Sequence, residues 1–449
     1  MKKTIAWWER LDPDMGRMLR NLSWGTAARL LSLAAGLAVS VILARGLGAE
    51  KFGQYQYALS IMSALAILAT MGLDKIFVRD LLQHQRPAGE ILAEAAALRG
   101  VGGVLVMLIC GGIALWGSLP AEEGVLLCIF ALSHFVAPFQ VSALYAESCQ
   151  DLSPVAKAQF WKTLIGLGGR ALTVWIFPDN LNLIALWLLL DGIALAVLLQ
   201  HYIKRRLSLP ALNKPKLAPV LGTFRRGWAR SLAGAATHVH AYLDIILLGF
   251  WLNKATIGNY ALGVQIIAFC GFIPMMLLDV LFPKVVLAYK KNEQAYHAIL
   301  IAFFRLSTIN SLVIIGAVTL CSKGIIPAMY GKEYESLATL LPFLAFRFLF
   351  MSFDIVRAAA VYTEDLLRWA LIPMGCGIII NGLLSWMFIP TYGVWGAVFA
   401  SLFSYGIATF FVDVMHPKMR KKVWFAFYGM ATFYKFRLSN LINPQSGQK

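Results

Sequence analysis

Arg29, Arg170, Arg347, Asp354 and Arg357 all fall inside long apolar runs of the sequence, as do His238, His240 and Asp244. A charge at the centre of a bilayer costs about 2.5–3.5 kcal/mol on insertion scales, so such a group marks a pathway or an internal partner. Arg347, Asp354 and Arg357 are spaced by seven and three, which places them on one helical face pointing away from lipid. They read either as a structural Asp–Arg pair or as an anion site, since one of the two arginines is left over. His240 and Asp244 are four apart and can meet on one face. A carboxylate beside an imidazole favours its charged form, which suits a proton-coupled step; a satisfied buried histidine is the plain alternative for both His240 and His238. Arg29 lies near enough to a helix end to snorkel, whereas Arg170, after Gly166, Gly168 and Gly169, lies near mid-membrane. We therefore take Arg29, Arg170, Arg347 and Arg357 as candidates for a substrate path. His238, His240, Asp244 and Asp354 are candidates for ion coupling. His134 reads as a packed histidine, and Pro274 as a kink.

The elements that must position these residues are set by composition. The 449 residues are 59% hydrophobic and only 14% charged. A soluble domain carries roughly 25% charged residues, so lipid must cover much of this surface. Runs of about 20 apolar residues, each enough to span a membrane, occur at 25–46, 54–73, 95–116, 124–145, 160–177 and 183–203. Six more occur at 231–252, 259–282, 299–320, 338–361, 369–389 and 393–413. The expected fold is an all-α membrane protein of about twelve transmembrane helices. Its expected parts are a six-helix lobe over 1–203, a basic cytoplasmic linker over 204–230, a second six-helix lobe over 231–416 and a tail over 417–449.

The formal charge of +17 is concentrated in alternate loops. Lys and Arg cluster in the N-terminal stretch, around 75–99 and in the central segment, while Arg45, Lys51, Lys254, Lys323 and Lys332 are the few on the other side. That is the positive-inside pattern, which predicts both termini in the cytoplasm and argues against nucleic acid as a partner. Tail residues 423–434 are apolar but too short to span, and basic residues flank them. They predict an interfacial aromatic helix. The six cysteines are scattered singly, without metal-ligand spacing, and read as reduced and buried.

The two halves match at a fixed offset. Gly53 pairs with Gly258, Tyr55 with Tyr260, Asp74 with Asp279, Phe77 with Phe282 and Arg79 with Lys284, all 205 positions apart. Tyr145 and Glu147 match Tyr362 and Glu364 at 217, the extra residues fitting the longer outer loop around Lys323–Ser336. Six crossings return the chain to its starting side, so the repeats are parallel, an arrangement transporters use to build a path between halves. Asp74 and Asp279 fall at equivalent inner ends and read as structural hinge residues, with Lys75, Arg79 and Lys284 nearby as partners.

Residues 42–60 (ILARGLGAEKFGQYQYALS), 71–80 (MGLDKIFVRD) and 392–405 (YGVWGAVFASLFSY) resemble the bacterial oligosaccharide flippases. These are the polysaccharide biosynthesis proteins of the multidrug/oligosaccharidyl-lipid/polysaccharide superfamily. The resemblance implies a two-lobed helical fold and movement of undecaprenyl-diphosphate-linked oligosaccharide from the cytoplasmic to the periplasmic leaflet of the inner membrane. It implies arginines that neutralise the diphosphate, and as partners membrane lipids, H⁺ or Na⁺, and polysaccharide assembly proteins. No P-loop, HExxH, GxSxG or metal-ligand cluster is present in the sequence, so no cofactor or ATP-driven step is expected. Two alternatives remain: a small-molecule extruder of the same superfamily, and a membrane polysaccharide polymerase or ligase. An extruder of cations should present acidic groups, and a polymerase should carry a large outer loop.

Overall fold

The computed structural model describes residues 13–83, 86–117, 119–215 and 217–436. Among them the regular structure is helical throughout. The chain forms two compact units, Met1–Leu47 with Ile61–Ala235, and Gly48–Ser60 with Ala236–Lys449.

The first unit draws on α1 (Pro13–Thr70), apart from its Gly48–Ser60 stretch, and on α2 (Asp74–Leu82), α3 (Ala88–Trp116), α4 (Ala121–Leu132), α5 (Ser142–Ser148), α6 (Ser153–Ile176) and α7 (Leu181–Arg206). Helix α8 (Leu217–Leu248) begins in this unit and ends in the second. The second unit continues with α9 (Lys254–Cys270), α10 (Phe272–Lys291), α11 (Glu293–Tyr330), α12 (Glu335–Ala345) and α13 (Arg347–Thr363). It ends with α14 (Leu367–Tyr392), α15 (Val394–Gly406) and α16 (Pro417–Ala431).

Nine stretches of the described residues are long and apolar enough to cross a membrane, and the first, Leu30–Leu82, is long enough for two crossings. Helices α6, which carries Lys157, Lys162 and Arg170 over its 24 residues, and α8, with 32 residues, are also of spanning length. They complete the twelve. The parallel repeat is visible in the element bounds, since α3 starts at Ala88 and α11 at Glu293, again 205 apart.

The first two spans are two helices that meet at a kink, where Gly48 takes a left-handed backbone (φ 73°, ψ 169°) that only glycine adopts freely. Two segments differ from the expectation. The basic segment after 203 is largely helical, since α8 starts at Leu217 and is ordered by packing: Gly227 lies against Leu73 and Ile76. The tail helix α16 is docked along α11, burying Met419, Lys422, Val423, Ala426 and Gly429.

Each unit has its own apolar core. Leu73, Phe77, Leu92, Leu98 and Leu144 pack together in the first, and Val285, Ile299, Phe303, Phe353, Val356 and Ala426 in the second. The rims of both are lined by exposed Leu, Trp and Phe, among them Leu108, Trp116, Trp175, Leu320 and Trp386. Such exposure is the normal outer face of a helix bundle in lipid.

Candidate functional site: buried ion pairs

In the first unit, α6 packs along α7. Gly166 leaves the room in which Arg170 and Asp191 meet, because a β-carbon there would collide with Asp191 Oδ1 and crowd Arg170 Nη1. Arg170 Nη2 donates to Asp191 Oδ2 at 2.5 Å, and both side chains are buried. Arg170 Nε and Asp191 Oδ1 have no hydrogen-bond partner. One turn further along α6, Trp187 Nε1 donates to Thr173 Oγ1 at 2.7 Å. Asp74 is taken by Arg99 (2.8 Å), whose other terminal nitrogen donates to the Ala137 carbonyl at 3.2 Å. Asp74 thus pairs across to α3 and not with its neighbours Lys75 or Arg79. Outside the spans, Arg86 bridges Glu90 and Glu94, and the hydrogen bonds to Glu94 hold its guanidinium above the ordinary arginine range.

The second unit holds a larger polar network. Asp244 on α8 is fully buried, and its Oδ2 accepts from Tyr260 Oη at 2.6 Å and from Arg347 Nη1 at 3.2 Å. Arg347 opens α13 and donates through Nη2 to Tyr405 Oη (2.6 Å) and to the Ala241 carbonyl (3.3 Å). Its guanidinium also stands 4.3 Å over the Tyr405 ring. His240 stacks on that ring at 4.3 Å and brings Nε2 to 3.3 Å from Ser404 Oγ. Asn381 and Ser385 extend the chain of contacts from Ser404 along α14. Asp244 Oδ1 has no hydrogen-bond partner. The one-face pairing expected between His240 and Asp244 does not form, because the imidazole is stacked on Tyr405 with Nε2 turned to Ser404.

A second ion cluster lies on the same unit. Arg357 pairs with Asp413 through two nitrogens and with Asp354 at 3.0 Å, and Trp369 Nε1 donates to Asp413 Oδ1 at 2.8 Å. Asp413 comes just after a π-helical turn at Ile407–Phe411. Such bulges insert an extra residue and rotate the next turn of helix, here bringing a carboxylate onto Arg357. His238 is partly exposed. His134 sits 3.0 Å from the Met62 sulfur, and Asp279 is engaged within the fold. The side chain of Arg29 lies outside the described residues. Among the described residues no group of three His, Cys, Asp or Glu side chains could hold a metal ion.

Thus Arg170, Arg347 and Arg357, each chosen as a site for an anion, are each neutralised by a carboxylate of their own unit. Sequence reasoning missed Asp191, Asp413, Tyr260, Tyr405 and Asn381. Asp191 and Asp413 could have been found by the same in-span charge rule that picked out the arginines.

The sequence matches the polysaccharide biosynthesis protein family over residues 18–289. The chain belongs to that family. Among similar family-like proteins, the "Probable low-salt glycan biosynthesis flippase Agl15" of Haloferax volcanii is 21% identical over 371 residues, covering 82% of this chain and 76% of that protein. The "Putative O-antigen transporter" of Shigella dysenteriae is 22% identical over 292 residues, covering 60% and 70%. The fold of this family member is that of two solved transporters. The lipid II flippase MurJ in an inward closed conformation matches with a TM-score of 0.68 at 12% identity, over 93% of this chain and 92% of that one. An inward-facing multidrug resistance MATE family transporter matches with a TM-score of 0.66 at 14% identity, over 88% and 99%.

Proposed function

We propose that the chain is a flippase that carries polyprenyl-diphosphate-linked oligosaccharide from the cytoplasmic to the outer leaflet by alternating access, for surface polysaccharide biosynthesis. It acts in the bacterial cytoplasmic membrane with both termini inside, and it moves its substrate without a covalent step. The observation that carries this reading is the family match over residues 18–289, joined by two relatives named as a glycan flippase and an O-antigen transporter. The fold likeness does not separate this reading from drug extrusion, since both solved transporters match about equally well.

The network around Asp244 supplies a coupling device. While Asp244 is ionised, it holds Arg347. A proton on that carboxylate removes the charge that holds the guanidinium, and a freed arginine can fork onto two phosphate oxygens. Proton arrival and capture of the diphosphate headgroup are then linked at one residue. In this reading the coupling ion is H⁺, taken up by Asp244. Arg170, paired tightly with Asp191, and Arg357, enclosed by two carboxylates, hold helices together; Arg29 stays a substrate-path candidate.

The test uses cells lacking the chain and complemented with variants. Arg347→Ala should abolish surface polysaccharide. The double variant Asp244→Asn/Arg347→Gln should do the same while keeping a normal amount of protein in the membrane, since neither member is left as a lone buried charge. Normal polysaccharide in either strain would refute the assignment of Arg347.

A further inference from the structure

Helix α16 presents two different faces. Met419, Lys422, Val423, Ala426 and Gly429 are buried at helical spacing against the second unit. Lys422 Nζ reaches Glu364 Oε1 at 2.6 Å, Gly429 fits against Phe304, and Phe427 stacks on Phe410. The outward arc carries Lys418, Arg420 and Lys421 in its first turns and Trp424 and Tyr428 after them, all exposed. Trp424 is 69% exposed and Tyr434, just beyond the helix, 70%. The helix contains no acidic residue. Of these three cations, Lys421 makes a loose, exposed pairing with Glu293 at 3.4 Å.

The position of the helix narrows what can cover that arc. The helix begins at Pro417, directly after the last membrane-crossing stretch, which ends at Val414, so its basic turns lie at the membrane boundary. Its buried stripe fixes the arc outward. Trp and Tyr rings combine an apolar body with a polar tip and settle at headgroup level. Cations beside them meet the negative potential of an anionic leaflet, worth roughly fivefold in binding per Lys or Arg near the surface.

We propose that the outer face of α16 is a binding surface for anionic phospholipid headgroups, with Lys418, Arg420 and Lys421 on the phosphates and Trp424 and Tyr428 set among the glycerol and upper acyl groups. The surface belongs to the second unit as a rigid part, through Lys422 and Glu364. It holds whether or not the chain is a flippase.

The full chain, purified in detergent, is titrated with phosphatidylglycerol and separately with phosphatidylcholine, and retained lipid is counted by native mass spectrometry. Phosphatidylglycerol should be retained preferentially. Lys418→Gln/Arg420→Gln/Lys421→Gln should lower that retention by at least about tenfold with an unchanged melting temperature, because all three side chains are exposed. Quenching by brominated phosphatidylglycerol should reach Trp424, read as the difference between the wild type and Trp424→Phe. Equal retention of the two lipids by the wild type would overturn the proposal. So would unchanged phosphatidylglycerol retention in the triple variant, the result expected if the face docks a protein instead.

Discussion

The two repeats place a glutamate at matching positions, Glu147 and Glu364, and give it opposite surroundings. In the first unit Glu147 pairs with Lys75 at 2.5 Å at the surface, the two side chains being 36% and 72% exposed. In the second, the position matching Lys75 at an offset of 205 is Val280, so the repeat supplies no cation there. Lys422 of α16 takes that place at 2.6 Å, the pair is buried, and Tyr296 Oη adds a donor at 2.7 Å. The comparison gives the docked tail a reason: among the described residues, the cation paired with this buried carboxylate comes from the tail. The same asymmetry holds deeper in the spans. One buried Arg–Asp pair ties α6 to α7 in the first unit, while the second has two such clusters and a hydroxyl and imidazole network joined to one of them.

Breaking the buried clusters should cost most. Asp413→Leu leaves Arg357 with Asp354 alone and takes the acceptor from Trp369 Nε1, and should destabilise the protein by about 3–5 kcal/mol, the cost of a broken buried pair together with an unsatisfied donor; thermal unfolding in detergent reads it. Lys422→Met should lower stability by about 3 kcal/mol, whereas Lys422→Met/Glu364→Gln should recover most of that loss, because no unpaired charge remains. A double variant as unstable as the single one would show that the charge pair is not what holds α16. Gly166→Ala should cost about 1–3 kcal/mol by forcing Asp191 from its place beside Arg170. Lys75→Met, the surface counterpart of Lys422→Met, should change stability by less than about 1 kcal/mol. A large effect there would erase the contrast between the two glutamates.

Much of this fold is legible in the sequence because lipid enforces it: apolar runs of spanning length and a fixed repeat offset give the helices and their parallel order. The candidate residues Arg170, Arg347, Asp354 and Arg357 are legible for the same reason. The Asp354–Arg357 pair follows from its spacing of three, but the other carboxylates come from 21, 103 and 56 residues away, and one-dimensional spacing reports only neighbours on the same helix. That is why His240 and Asp244 read as a pair, although tertiary packing gives Asp244 to Arg347 and Tyr260. The kink at Gly48 is hidden for a related reason: a left-handed glycine between two helices looks like any loop glycine. The docked face of α16 is readable, since Met419, Lys422, Val423 and Ala426 keep helical spacing, but the aromatic residues between them read in the sequence as a membrane-surface belt.

The central claim is that a proton on Asp244 releases Arg347 to carry a diphosphate headgroup. Its most direct test is a reconstituted flipping measurement. Purified protein in liposomes is supplied with a fluorescent polyprenyl-diphosphate oligosaccharide, and its appearance in the opposite leaflet is tracked by quenching at several pH values. The wild type should flip the lipid at a pH-dependent rate, Asp244→Asn should lose the pH dependence, and Arg347→Gln should not flip at all. Unimpaired, pH-dependent flipping by Arg347→Gln would contradict the account.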